Sequence, residues 1–117
     1  MTSTNTENKL PGPLAGVRVL ELTSEHAQFC GKLMADLGAD VIKIEPPGGQ
    51  ETRKVGPFLK DEEHLERSLY FWHYNTSKRG LTLDITLPEG QEVFKKLAAT
   101  ATLILESFPA GYLPSIG

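Results

Sequence analysis

"VRVLELTSEHAQFCGKLMADLGADVIKIE", residues 17–45, decides the fold. Its first six residues alternate Val17, Val19 and Glu21 with Arg18, Leu20 and Leu22, apolar and β-branched enough for a strand buried on most of its length. Cys30, Leu33, Met34 and Leu37 then recur at i, i+3, i+4 and i+7, the spacing that lines one face of a helix. Ala27, Gly31 and Ala35 form a second row small enough for close packing. Thr23 or Ser24 is placed to cap the helix start with its hydroxyl, and Gly38 to take the left-handed conformation at its end. Residues 41–45 supply a second strand. A strand, helix and strand this close in sequence form a right-handed crossover joining parallel strands.

The same unit returns downstream. "LTLDI" (81–85) alternates as a strand, and Thr86 stands three residues before Glu89 in capping-box spacing, with Pro88 in the tolerant first turn. Val93, Phe94, Leu97 and Ala98 mark the packed face of the helix that follows, and residues 102–107 read as a fourth strand. Between the two units, residues 46–68 are rich in Pro, Gly and charge, a long surface loop with at most a short helix around 62–67. The aromatic residues at 70–74 read mostly as core. The order is βαβ, long loop, βαβ: an α/β domain with a Rossmann-like, mainly parallel sheet and flanking helices. Residues 1–10, Thr- and Asn-rich without periodicity, read as a mobile tail, and residues 11–117 as the structured part.

A 117-residue chain with 39% hydrophobic and 23% charged residues suits one domain with one core. The net charge of -3 offers no global attraction to nucleic acid or an anionic membrane, so any anion must be bound locally. The single cysteine excludes an intrachain disulfide and a multi-cysteine metal site, and fits a reducing compartment, the cytoplasm. Neither a secretory signal nor a run of ~20 apolar residues is present. His26, His64 and His73 lack ligand spacing, so no metal site is expected. Cys30, on the apolar face, reads as packing.

In an open α/β sheet, ligands bind beyond the carboxyl ends of the strands. Four segments end there: "TSEH", "EPPGG", "DITLPE" and "ESFPAG". The first turn lacks the G-x-G-x-x-G of a dinucleotide site, Glu25 would repel a phosphate, and no Walker-type loop exists. The turn "NTSKRG" (75–80) carries an amide and two cations, Asn75, Lys78 and Arg79, which together can grip phosphate oxygens. The plainer reading, a turn made by Thr76, Ser77 and Gly80 with solvated cations, stands beside it.

"LAGVRVLELT", "KLMADLGADVIKIEPPGG", "GPF", "SLYFWHYNTSKRGLTLDITLPEGQEVFKKLA" and "LILESFPAGYL", in that order over residues 13–117, resemble the N-terminus of the family III CoA-transferases. That group includes carnitine-CoA transferases, formyl-CoA transferase and α-methylacyl-CoA racemases. The resemblance implies a Rossmann-type large domain, two chains interlocked as a homodimer, and movement of CoA between an acyl-CoA and a carboxylic acid. It implies coenzyme A as substrate, with no permanently bound cofactor. An aspartate performs the attack and carries CoA as an aspartyl-CoA thioester. It lies in a later segment, so no catalytic residue is expected among these 117, and the chain alone should be inactive. Asn75, Lys78 and Arg79 gain a phosphate-facing role in the CoA groove, Leu83 lies beside the nucleotide, and Ser107 and Phe108 lie near CoA. Pro46 stands where some members carry a CoA-contacting arginine. The chain departs from the pattern in "SEHAQF", one residue shorter than the usual first loop, and in Ser107 and Pro109, which replace an Asn and an Arg. A non-catalytic CoA- or partner-binding module, and the N-terminal part of a racemase, are the alternatives.

Overall fold

The computed structural model describes residues 11–117, so the tail expected at 1–10 lies outside the described residues. Four strands form one sheet: β1 (Arg18–Leu22), β2 (Asp40–Glu45), β3 (Arg79–Thr82) and β4 (Leu103–Glu106). Their spatial order is β3-β2-β1-β4, and every neighbouring pair is parallel. Helices α1 (Gln28–Asp36), α2 (Leu69–Tyr74), α3 (Pro88–Ala98) and α4 (Tyr112–Ser115) complete the chain. This is the α/β architecture read from the sequence.

Alternation along the strands divides the interior into two layers. Val19 and Val41 face α1 and pack with Ala35 and Ala39. Leu20, Leu22, Ile42 and Ile44 face the other way, onto Phe94, Leu97 and Ala98 of α3. Burial on both faces explains why β1 and β2 carry so much apolar sequence.

Helix α1 differs from the expectation in two respects. It begins at Gln28, and Ala27, in the left-handed conformation at φ 70°, precedes it. Neither Thr23 nor Ser24 caps it; the Thr23 hydroxyl donates to Glu21 instead, 2.5 Å away. The face turned to the sheet is the small-residue row with Gly31 and Ala35, because a helix crossing β1 and β2 this closely has no room for leucines. Leu33, Leu37 and Cys30 are exposed. Gly38 does take a positive φ, 105°, at the helix end.

The remaining elements shift by a few residues. β3 starts at Arg79 because its register runs from Ile42↔Arg79 to Glu45↔Thr82, so Arg79 belongs to the strand. Thr86 bonds to Asp84 and Leu87 stands at the N-cap of α3, with Pro88 opening the helix. The long loop contains 3-10 turns at Glu51–Lys54 and Leu59–Asp61, and none at 62–67. Of the aromatic residues at 70–74, Phe71 alone is buried, and Trp72 is exposed. No helix among the described residues is long and apolar enough to cross a membrane.

Candidate functional site

The chain leaves β1 to build β2 and β3 on one side, then returns to place β4 on the other. Strand order therefore switches between β1 and β4, and a crevice opens beyond their carboxyl ends. A groove of about 580 Å³ occupies that place, and all four post-strand loops contribute to it. Leu22, Ile44 and Leu83 give it an apolar floor, and Phe108, its ring 4.7 Å from that of Tyr112, forms part of one wall.

Side-chain hydrogen bonds fix the walls. Ser107 accepts from the backbone N–H of Ser24 at 3.1 Å, tying the loops after β4 and β1 together at the switch point. Asp84 accepts from both the hydroxyl and the N–H of Thr86, and these bonds hold its pKa below the usual value. Glu45 is held from two directions: Arg53 donates to both its oxygens, at 2.7 and 2.8 Å, and the Gln50 N–H donates at 2.9 Å. Burial alone would raise the pKa of Glu45, but the Arg53 and Gln50 hydrogen bonds outweigh it and keep it lowered. The Arg53 guanidinium also lies over the Phe71 ring, 4.0 Å from its centroid. This anchoring brings Lys54, an exposed cation, to the groove. Lys54 and Gln50 belong to the long loop, and no periodicity or motif in it singles them out.

Beneath the groove, on the α1 side of the sheet, lies a buried ionic cluster. Glu21 and Lys43 stand opposite each other in register, both buried, with Lys43 Nζ 2.9 Å from Glu21 Oε2. Lys78 Nζ sits between the two Glu21 oxygens, 2.8 Å from Oε1 and 2.9 Å from Oε2. It also donates to the Gln28 carbonyl at 2.9 Å and to Asn75 Oδ1 at 2.8 Å. Burial pushes the Lys78 pKa down to about 8, against the opposing pull of Glu21. Asn75 in turn donates to the Gln28 side chain and the Phe71 carbonyl.

The six residues expected to meet CoA are thus divided. Leu83, Ser107 and Phe108 line the groove. Asn75 and Lys78 do not: the Lys78 side chain is 2% exposed, and its three protons face Glu21, Gln28 and Asn75, with none left for a phosphate. Arg79 lies at the opposite end of the sheet, its Nε and Nη2 each 2.9 Å from the Asp40 carboxylate at the start of β2. The reason is topological: residues that precede a parallel strand and residues that follow one emerge at opposite ends. Pro46 lines the groove, and His26 is exposed on the loop after β1.

The sequence signal for the cluster was present. Glu21 and Lys43 are charges of opposite sign at matching positions of two strands otherwise read as buried, and a buried charge requires a partner.

The CoA-transferase family III model matches residues 14–117. Succinyl-CoA:(R)-benzylsuccinate CoA-transferase subunit BbsE of Thauera aromatica is 40% identical over 100 residues, which cover 86% of this chain and 24% of that protein. Succinyl-CoA:mesaconate CoA-transferase of Haloarcula hispanica is 42% identical over 101 residues, covering 86% of this chain and 26% of that one. Among solved structures, a CAIB/BAIF family protein from Brucella suis superposes with a TM-score of 0.80 at 37% identity, over 92% of this chain and 29% of its own. The chain therefore spans about a quarter of the length of these relatives.

Proposed function

Since the chain belongs to CoA-transferase family III, we propose that it forms the coenzyme A-binding part of an enzyme that moves CoA from an acyl-CoA to a carboxylic acid. The observation that carries this reading is the groove at the β1/β4 switch point. Its apolar floor suits the pantetheine arm, and Phe108 and Lys54 offer an aromatic face and a cation for the nucleotide end. Names of several relatives specify succinyl-CoA as donor, and we extend that donor class to this protein.

On this reading the chemistry runs through an aspartate outside these 117 residues. Its carboxylate attacks the acyl thioester and expels CoA thiolate; the thiolate then attacks the aspartyl carbonyl of the mixed anhydride. The donor acid leaves, and aspartyl-CoA remains for the acceptor acid. The same reading places the enzyme in the cytoplasm as an interlocked homodimer. The exposed row Phe29, Leu33 and Leu37 supports an assembly that covers more of this surface.

The test is a titration of the 15N-labelled chain with CoA, followed by amide shifts. Shifts should concentrate in residues 22–24, 83–86 and 107–108. Shifts confined to the amino end of the sheet, around Asp40 and Arg79, would refute the assignment of the groove. Transfer of CoA assayed on this chain alone should be undetectable.

A further inference from the structure

The loop between β1 and α1 supplies Thr23 and Ser24 to the groove; its start is bonded to the buried Glu21 carboxylate and its end to Lys78, which sits on the same carboxylate. At its start, the Thr23 hydroxyl donates to Glu21 Oε2, and the Thr23 carbonyl accepts from Lys43 Nζ and from the Gln50 side-chain amide. At its end, Lys78 Nζ holds the Gln28 carbonyl while Asn75 holds the Gln28 side chain. Lys43 and Lys78 meet on Glu21, so the two ends of the loop are joined through a single anion. Between them Ala27 is kept at φ 70°. That conformation is strained for a residue with a Cβ, and it persists only where the surroundings over-determine it.

From this we infer that Lys78 and Asn75 are positioning residues, which set the β1–α1 loop and, through Thr23 and Ser24, the groove wall that meets the ligand. The ligand in that statement rests on the CoA reading above; the bracing of the loop does not. A loop fixed at both ends by buried charge presents one shape to the ligand, which lowers the ordering cost of binding.

The experiment uses the full 117-residue chain and the variant Lys78→Met, read by amide hydrogen exchange. The substitution leaves Glu21 paired one-to-one with Lys43, so no buried charge is stranded. The Ser24, Cys30 and Gly31 amides should exchange at least about tenfold faster, the equivalent of one charge-assisted hydrogen bond. The amides of residues 19–22 and 41–44 should keep their protection, which a general loss of stability would not allow. CoA affinity should fall by about tenfold, since ordering the released loop must then be met on binding. Unchanged exchange at Ser24, Cys30 and Gly31 overturns the inference. Should Lys78→Met release the sheet as well, Asn75→Ala, which spares the ion cluster, decides: loop release supports the inference and an unaltered loop overturns it. Failure of the parent chain to bind CoA would remove the CoA reading and leave the exchange result standing.

Discussion

At Gly31, helix propensity and packing pull in opposite directions, and Gly31→Ala decides between them. In an exposed helix interior the change would stabilise by about 1 kcal/mol. Here an added Cβ would lie 2.8 Å from Glu21 Cδ and 3.2 Å from Lys78 Cε, with the carboxylate oxygen closer still. Glu21 is fully buried, and Thr23, Lys43 and Lys78 all donate to its Oε2, so the carboxylate cannot swing its unbonded Oε1 away from position 31 without breaking those bonds. Expelling it would break a buried ionic cluster, at about 3–5 kcal/mol. Lifting α1 instead would open the packing of Ala35 on Val19 and Val41, an overpacking response of about 1–3 kcal/mol. The chain relaxes by the cheaper route, which caps the cost, so after the propensity gain the net loss is about 0–2 kcal/mol and on the order of 1. Urea unfolding should show a midpoint lower by about 0.5 M, for a slope of roughly 2 kcal/mol/M. A midpoint raised relative to the parent chain would mean that propensity wins and that the Glu21 site is looser than its contacts imply.

Two further outcomes are expected. Ser107→Ala leaves the Ser24 N–H without its acceptor and should cost about 1 kcal/mol by urea unfolding, with faster exchange at Ser24 and little change at the sheet amides. Glu45, whose pKa is lowered in the fold, contributes stability that is present above its unfolded value near 4.5 and is lost as pH falls through the folded value; Glu45→Gln should therefore flatten the acid limb of stability measured by urea midpoints between about pH 5 and 3.

The crossover was legible because its signals are local. Alternation in 17–22, the small row Ala27, Gly31 and Ala35, and Gly38 at φ 105° all reflect steric rules that act over a few residues. Which of two rows on α1 would face the sheet was not legible, since the answer depends on how near the helix lies to β1. That distance is set by Glu21, which fills the space a larger residue at position 31 would occupy. The groove was half legible. Leu83, Ser107 and Phe108 follow strands and so had to emerge at the carboxyl end. Lys54 and Gln50 reach it through a loop held by Arg53 on Glu45, a contact of the tertiary structure that no spacing encodes. In the turn at 75–79, none of Asn75, Lys78 and Arg79 lines the groove: Arg79 opens β3 at the other end of the sheet, and Asn75 and Lys78 reach Gln28 and Glu21 beneath it.

That turn has a consequence for pH that separates loop order from global stability. Glu21, Lys43 and Lys78 together carry one excess positive charge in a buried site, and burial lowers the Lys78 pKa from 10.5 to about 8. The folded chain therefore holds fewer protons than the unfolded chain between about pH 8 and 10.5, and by linkage this group makes the fold more stable as pH rises through that window. Neutral Lys78 has two hydrogens for three acceptors, Glu21, the Gln28 carbonyl and Asn75, so one of its bonds is lost. Stability and loop order must then move in opposite directions. The difference in urea midpoint between the parent chain and Lys78→Met should move in favour of the parent from pH 8 to 10, while the protection factors of Ser24 and Cys30, corrected for base-catalysed exchange, fall toward those of the variant. Should both quantities fall together with rising pH, Lys78 is gripped by its charge alone and the brace is an ordinary ion pair.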